Sequence, residues 1–135
     1  MYRLRFLTIS ILHWIASIVL STALALYVLT GFTGYVLAAP MWAMNFLLAF
    51  GFAQWAFHQR LPGPRDTMWF LLIWFIVTFS LQSAFEIYQF GQIYFLINDN
   101  FLHIQYFIDL LAILLASYLT RRWKVKSVLS EGMVD

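Results

Sequence analysis

The 135-residue chain contains no cysteine. That absence excludes disulfides, thiolate metal sites and a cysteine nucleophile. Charge is nearly as scarce: eight Lys and Arg and six Asp and Glu make up a tenth of the residues. No face gathers basic residues between stacking aromatics, which excludes a nucleic-acid surface. Proline occurs only at Pro40, Pro62 and Pro64, two of them in one linker. What fills the chain instead is apolar, at 63%, with one residue in five aromatic, the composition of a membrane protein. The length implies a single domain.

A spanning helix needs roughly 20 apolar residues at about 1.5 Å each. Phe6 to Leu29 supplies one without a charge. Arg3, Arg5 and Ala23-Leu24-Ala25 have some of the marks of a cleaved leader. The apolar run is long enough to span, however, so an uncleaved first helix is expected. Thr30 to Gly34 forms a turn. A second helix is expected over 40–57, with Pro40 in its first turn, where a missing N–H leaves no bond unmade. His58 to Asp66 is the polar, Pro/Gly-rich linker, and Asp66 is a natural N-cap for a third helix over 67–90. Ile93 to Ile97 is placed along an interface. Asn98-Asp99-Asn100 offers a cap for a fourth helix over 101–120, and Arg121 to Lys126 forms a basic tail.

Every Arg and Lys falls in the N-terminus, the middle linker or the C-terminal tail. The positive-inside rule then predicts an all-α bundle of four transmembrane helices, N-in and C-in. Trp14, Trp55, Trp69 and Trp123 fall towards the inner interface, and Tyr27, Tyr35, Trp42, Tyr88 and Tyr94 towards the outer, as aromatic belts do. The expected setting is a bacterial inner membrane, crossed several times. The even spacing of His13, His58 and His103 has no matching sequence around it and is not read as a repeat.

Against this background a polar stretch stands out. Gln82, Glu86 and Gln89 recur at i, i+4 and i+7 on the third helix, and Gln105 and Asp109 sit four apart on the fourth. Polar groups at membrane depth are costly and by default mark a functional site. If the two helices are antiparallel neighbours, the depths match rung by rung: Glu86 with Gln105, and Gln82 with Asp109. Tyr106 flanks that face, and Asn45 on the second helix would close the site. A carboxyl so placed pairs, binds a cation or takes up a proton, and no Arg or Lys lies at that depth. The competing reading is hydrogen-bonded glue between helices.

Phe85-Glu86-Ile87-Tyr88-Gln89, followed by Phe107 to Ala112, resembles the last two helices of VanZ-like membrane proteins. The resemblance covers about the last third of the chain. It implies a four-helix protein in which Glu86, Gln89 and Asp109 share a polar site. The family's Arg between the two motifs is missing, and Ile113 and Ala116 stand where it has Asn and Gly. Separately, Leu12-His13-Trp14-Ile15-Ala16 with Leu29-Thr30-Gly31 is similar to the first helix of b-type cytochrome subunits of formate dehydrogenases and nickel hydrogenases, where the His is a haem ligand. By that likeness His13 would be an axial ligand, but neither His58 nor His103 matches its depth. The leading expectation is a non-enzymatic membrane protein without a cofactor, in contact with the lipid bilayer, whose outward-facing site takes a proton or small ligand. The alternatives are an accessory subunit of a larger respiratory or photosynthetic membrane complex, and a haem-b electron carrier. Abundant Phe and Trp alone do not argue for a pigment or quinone.

Overall fold

The computed structural model describes residues 2–58, 62–93 and 98–132. Among them it is all helical, in four long elements: α1 (Tyr2–Ala23), α2 (Tyr35–Phe57), α3 (Pro64–Phe90) and α4 (Asn100–Gly132). All four are long and apolar enough to cross a membrane. Tyr94 to Ile97, expected along an interface, and Gln59 to Leu61 of the linker lie outside the described residues.

The ends show why each helix starts and stops where it does. α1 runs on into one π-helical turn, Leu24–Val28, closed by the Leu29 N–H donating to the Leu24 carbonyl at 2.9 Å. Gly34, at φ +62°, then reverses the chain in a conformation that side chains resist. Its carbonyl accepts from the Ala38 N–H at 3.0 Å, so α2 begins at Tyr35, five residues ahead of the expected Pro40 start. Pro40 costs this helix a single bond near its end, a small loss so close to the terminus. The extra turn also brings Tyr35 to 6.4 Å from Trp42.

α3 begins at Pro64 rather than Thr67. Proline at the first position is preorganised for a helix. Asp66 is therefore not the N-cap: it sits at the third position and accepts from the Gly63 N–H at 3.4 Å, one half of a capping box. The helix ends on Gly91 at φ +72°, whose N–H bonds the Ile87 carbonyl at 2.9 Å. At the start of α4, Asp99 Oδ1 accepts from the Phe101 N–H at 2.9 Å, so the Asn98 to Asn100 segment does supply a cap.

α4 continues twelve residues past Thr120. Apolarity ends there but helix propensity does not, since Arg and Lys are good helix formers and no Gly or Pro intervenes before Gly132. Its 33 residues span about 50 Å, well beyond a hydrocarbon core of about 30 Å. Lys124 on this extension donates to the Phe57 and His58 carbonyls at 3.0 and 2.7 Å, and Arg5 donates to the Trp55 carbonyl. Two cations thus satisfy the open carbonyls at the end of α2 and complement its dipole. These bonds gather the start of α1, the end of α2 and the extension of α4 at one end of the bundle.

The packing order departs from a simple neighbour-to-neighbour bundle. α4 lies chiefly along α2, α3 lies along α1, and α3 meets α4 at few points. Side-chain size explains this. Ala49, Ala53 and Ala56 on α2 and Ala112 and Ala116 on α4 are all buried, and small residues let backbones approach closely over their whole length. α3 instead buries Phe70 and Trp74, whose bulk holds α4 at a distance. Phe6, Phe57 and Phe70 form a triangle of edge-on rings with centroids 5.1–6.1 Å apart. α3 and α4 touch through Thr67 and Ser117, whose hydroxyls are 2.6 Å apart, and through Trp74 and Tyr106, with rings 6.1 Å apart and nearly perpendicular. A double variant with Thr67→Cys and Ser117→Cys is expected to form an intramolecular disulfide under mild oxidation. Unchanged mobility after oxidation, on a non-reducing gel, would contradict the contact.

Large apolar side chains dominate the outside: Val19, Tyr27, Leu47, Met68, Phe107 and Tyr118 are all at least 59% exposed. The interior, by contrast, holds Ser10, His13, Ser17, Asn45, Thr78, Glu86, Gln105 and Asp109. Apolar outside and partly polar within is the pattern expected where lipid is the solvent.

Candidate functional site: a polar cavity between three helices

The interior polar groups collect around one cavity of about 190 Å³ lined by α1, α3 and α4. It extends from Asp109 to Phe101 in the first turn of α4, about 12 Å along that helix. The α1 wall is made by His13, Trp14, Ser17 and Ser21, the α3 wall by Thr78, Gln82 and Phe85, and the α4 wall by Gln105, Tyr106 and Asp109.

Each wall is positioned by specific bonds. Trp74 Nε1–H donates to His13 Nδ1 at 3.2 Å. An accepting Nδ1 carries no proton, so the neutral ring bears its proton on Nε2. Phe52 packs edge-on to the same imidazole at 5.7 Å. Trp14 Nε1–H reaches Gln82 Oε1 at 3.4 Å, and Gln82 Nε2 donates to Glu86 Oε1 at 3.1 Å. The amide orientation is thereby fixed: its oxygen faces α1 and its nitrogen faces Glu86. On α4, Gln105 Nε2 donates to Ser17 Oγ at 3.4 Å.

Asn45, fully buried on α2, organises the α1 wall without lining the cavity. It accepts from Ser17 Oγ and donates through Nδ2 to Ser21 Oγ at 3.3 Å and to the Met41 carbonyl at 2.9 Å. Interhelical hydrogen bonds in bundles are worth about 0.6–1.7 kcal/mol each. Asn45→Leu, which keeps the volume but removes these bonds, is expected to lower stability by about 1–2 kcal/mol in a detergent unfolding titration. No change would remove Asn45 from the account.

The expected rungs between α3 and α4 do not form. Gln105 bonds Ser17 rather than Glu86, and Gln82 bonds Trp14 and Glu86 rather than Asp109. α3 meets α4 at few points, and Ser17 of α1 is within reach of the Gln105 amide. Gln82, Gln105, Tyr106 and Asp109 are brought together around the cavity, and Glu86 is fully buried behind Gln82. Gln89 is exposed and lies outside it.

From the α1 wall the sequence singles out His13 alone, and for haem rather than for this cavity. The signal of the whole wall is present, because Ser10, His13, Ser17 and Ser21 recur at spacings of three and four along one helix face. Serine is mild enough in an apolar run to be passed over beside Glu and Asp, and His13 draws attention only as a haem ligand.

Two residues that line the cavity each carry a buried atom without a partner among the described residues. His13 Nε2 and Asp109 Oδ1 are both buried and make no hydrogen bond, in residues that are 3% and 2% exposed. Buried polar atoms are nearly always satisfied, so such a pair calls for an explanation. With Nδ1 accepting from Trp74 the first is a donor, and the second, on an ionised carboxylate, is an acceptor.

A bis-histidine haem does not fit these residues. It needs two imidazoles at matching depth on opposite faces of the macrocycle. His58 and His103 are both exposed, one capping α2 and the other in the first turn of α4, while His13 is buried against Phe52 and Trp74. Among the described residues no group of three or more His, Asp or Glu could hold a metal ion.

No family model, no curated protein and no solved structure matches this chain.

Proposed function

We propose that this is a four-span integral protein of a bacterial cytoplasmic membrane whose polar cavity binds a small ligand or a proton from the outer side. The observation that carries the ligand reading is a pair of unpartnered buried atoms, His13 Nε2 and Asp109 Oδ1, on two residues that line one cavity. Interhelical glue alone would leave both satisfied, as it does Asn45, Ser17 and Gln105.

The orientation follows from charge. Arg3, Arg5, Arg65, Arg121, Arg122, Lys124 and Lys126 belong to the end that carries both termini, which is then cytoplasmic. The cavity reaches towards the other end, where Trp42 Nε1–H bonds the Phe101 carbonyl at 3.3 Å. The likeness of α3 and α4 to VanZ-like proteins supports a shared site through Glu86 and Asp109, though not through Gln89.

The absence of cysteine makes the test clean. Single cysteines in place of Thr33, Thr22 and Ser130 are treated with a membrane-impermeant maleimide in sealed, right-side-out vesicles. Thr33→Cys and Thr22→Cys, in the α1–α2 turn and the cavity wall, are expected to label; Ser130→Cys is expected to label only after permeabilisation. The reverse pattern would overturn the orientation, and an unreactive Thr22→Cys would close the cavity to the outside.

A second reading, as an accessory subunit of a larger complex, is favoured by one feature. Gly51 faces outward with open space around it, in a groove formed with Leu47, Leu48, Phe52 and Trp55 that would admit a neighbouring helix. Purification in mild detergent as a lone species of about the chain's 15.9 kDa would count against it.

A further inference from the structure

A second cleft, of about 240 Å³, lies between the first turns of α1 and α3. Tyr2, Arg3 and Phe6 line it from α1, and Arg65, Asp66 and Trp69 from α3. Both arginines are exposed, so a ligand has access to them. Arg3 lies over the Trp69 ring, 4.1 Å from its centroid, a cation–π contact that holds it on the cleft wall. Among the described residues neither guanidinium makes a hydrogen bond or an ion pair. Other cations at this end have structural roles: Arg5 and Lys124 bond the last carbonyls of α2. Asp66, the one acid lining the cleft among the described residues, accepts from the Gly63 N–H at 3.4 Å. Two guanidinium charges against one carboxylate leave the cleft with a positive charge in excess.

The level of the cleft points to what fills it. It sits at the starts of two helices long and apolar enough to span, the height at which headgroup phosphates lie. Leu7 and Ile11 follow Arg3 four and eight residues on, and Leu72 and Ile76 follow Arg65 seven and eleven on. All four are 36–54% exposed. A basic cleft above apolar helix faces suits an anion that carries acyl chains better than a free one. We propose that it takes the headgroup phosphate of an anionic phospholipid from the leaflet at that end. Basic pockets between spanning helices hold anionic headgroups in this way, and the guanidinium fork matches phosphate oxygens. One water needs about 10–15 Å³ of such space, so a phosphate and the glycerol carbons beside it fit.

The full chain, purified in mild detergent, is titrated with phosphatidylglycerol and with phosphatidylcholine, and native mass spectrometry counts the lipids retained. One phosphatidylglycerol is expected to bind saturably, about tenfold tighter than phosphatidylcholine, whose phosphate carries its own counter-charge. Arg3→Gln and Arg65→Gln are each expected to weaken it about fivefold, and the double variant about thirtyfold. Arg121→Gln combined with Arg122→Gln removes the same charge from the α4 extension, outside the cleft, and is expected to leave binding unchanged. Thermal unfolding checks that each variant folds. Should the Arg3 and Arg65 variants not fold, the ratio of the two lipids in the unaltered chain decides the matter.

Glycerol phosphate in a competition arm separates the lipid from a free phosphate ester. It is expected not to displace phosphatidylglycerol; displacement at matched concentration would assign the cleft to a soluble phosphate and overturn the proposal. Equal retention of the two lipids, or an unaffected double variant of Arg3 and Arg65, would overturn it as well. So would an equal loss in the Arg121 and Arg122 control, which would reduce the effect to a general attraction for the basic end. The polar cavity shares no lining residue with this cleft, so failure here leaves the reading of that cavity untouched.

Discussion

Trp74→Ala is expected to destabilise the protein by about 3–5 kcal/mol, the largest effect of any single substitution considered, read by unfolding titration in a mild detergent. The indole is 2% exposed and belongs to the core formed with Phe70, Ile113 and Ala116. Removing it leaves a cavity that four long helices cannot collapse to fill, and cavity cost adds to lost dispersion contacts. The substitution also strips His13 Nδ1 of its donor. Trp74→Phe separates the two contributions. It keeps most of the packing, so its cost is expected near 1–2 kcal/mol, the penalty of an unpaired buried acceptor. A Trp74→Phe variant as unstable as Trp74→Ala would show that the hydrogen bond, not the volume, holds this layer.

The second large effect concerns the seam between α2 and α4. Ala116→Leu adds three carbons where the present side chain is fully buried, and overpacking of this kind costs about 1–3 kcal/mol. Ala53→Leu, equally buried on the facing helix, is expected to behave alike. Outward positions should not. Leu115→Ala removes a side chain already 41% exposed, and Gly51→Ala adds a methyl to open space. The latter is expected to be neutral or stabilising by up to about 1 kcal/mol, from helix propensity. Tolerance of leucine at both Ala53 and Ala116 would mean that the two helices do not approach as described.

These two sites also show what a sequence discloses about such a protein. Existence and approximate place of the helices follow from apolar runs, because nothing else spans lipid at that length. Their ends follow less well. Pro40 suggests a start, yet one missing N–H near a terminus is cheap, and Gly34 sets the boundary instead. Thr120 suggests an end, yet polar residues with good helix propensity carry α4 on to Gly132. Apolarity measures where the solvent changes, not where the helix stops.

The candidate site was legible in part for a similar reason. Glu86, Asp109, Gln82 and Gln105 announce themselves by polarity alone, and the structure buries or clusters all four. Which helix each one faces depends on packing order, and that is decided by Ala49, Ala53, Ala112 and Ala116, residues with no polar signal at all. Matched depth could therefore suggest rungs between α3 and α4, while the small residues were drawing α4 onto α2. His13 was noticed for a different chemistry. Its role in the wall becomes visible only when Trp74, sixty-one positions away, is seen to fix its tautomer.

The central claim is that Asp109 faces a wet cavity inside the bundle and not the lipid. Nitroxide labels at single cysteines placed along residues 101–116, in liposomes, report collisions with oxygen, which concentrates in lipid, and with a polar nickel chelate, which does not. The account predicts chelate maxima at 102, 105 and 109, which line the cavity, and oxygen maxima at 104, 107, 111 and 115, where Ile104, Phe107, Leu111 and Leu115 are exposed. An oxygen maximum at 109, in phase with Phe107 and Leu111, would contradict it.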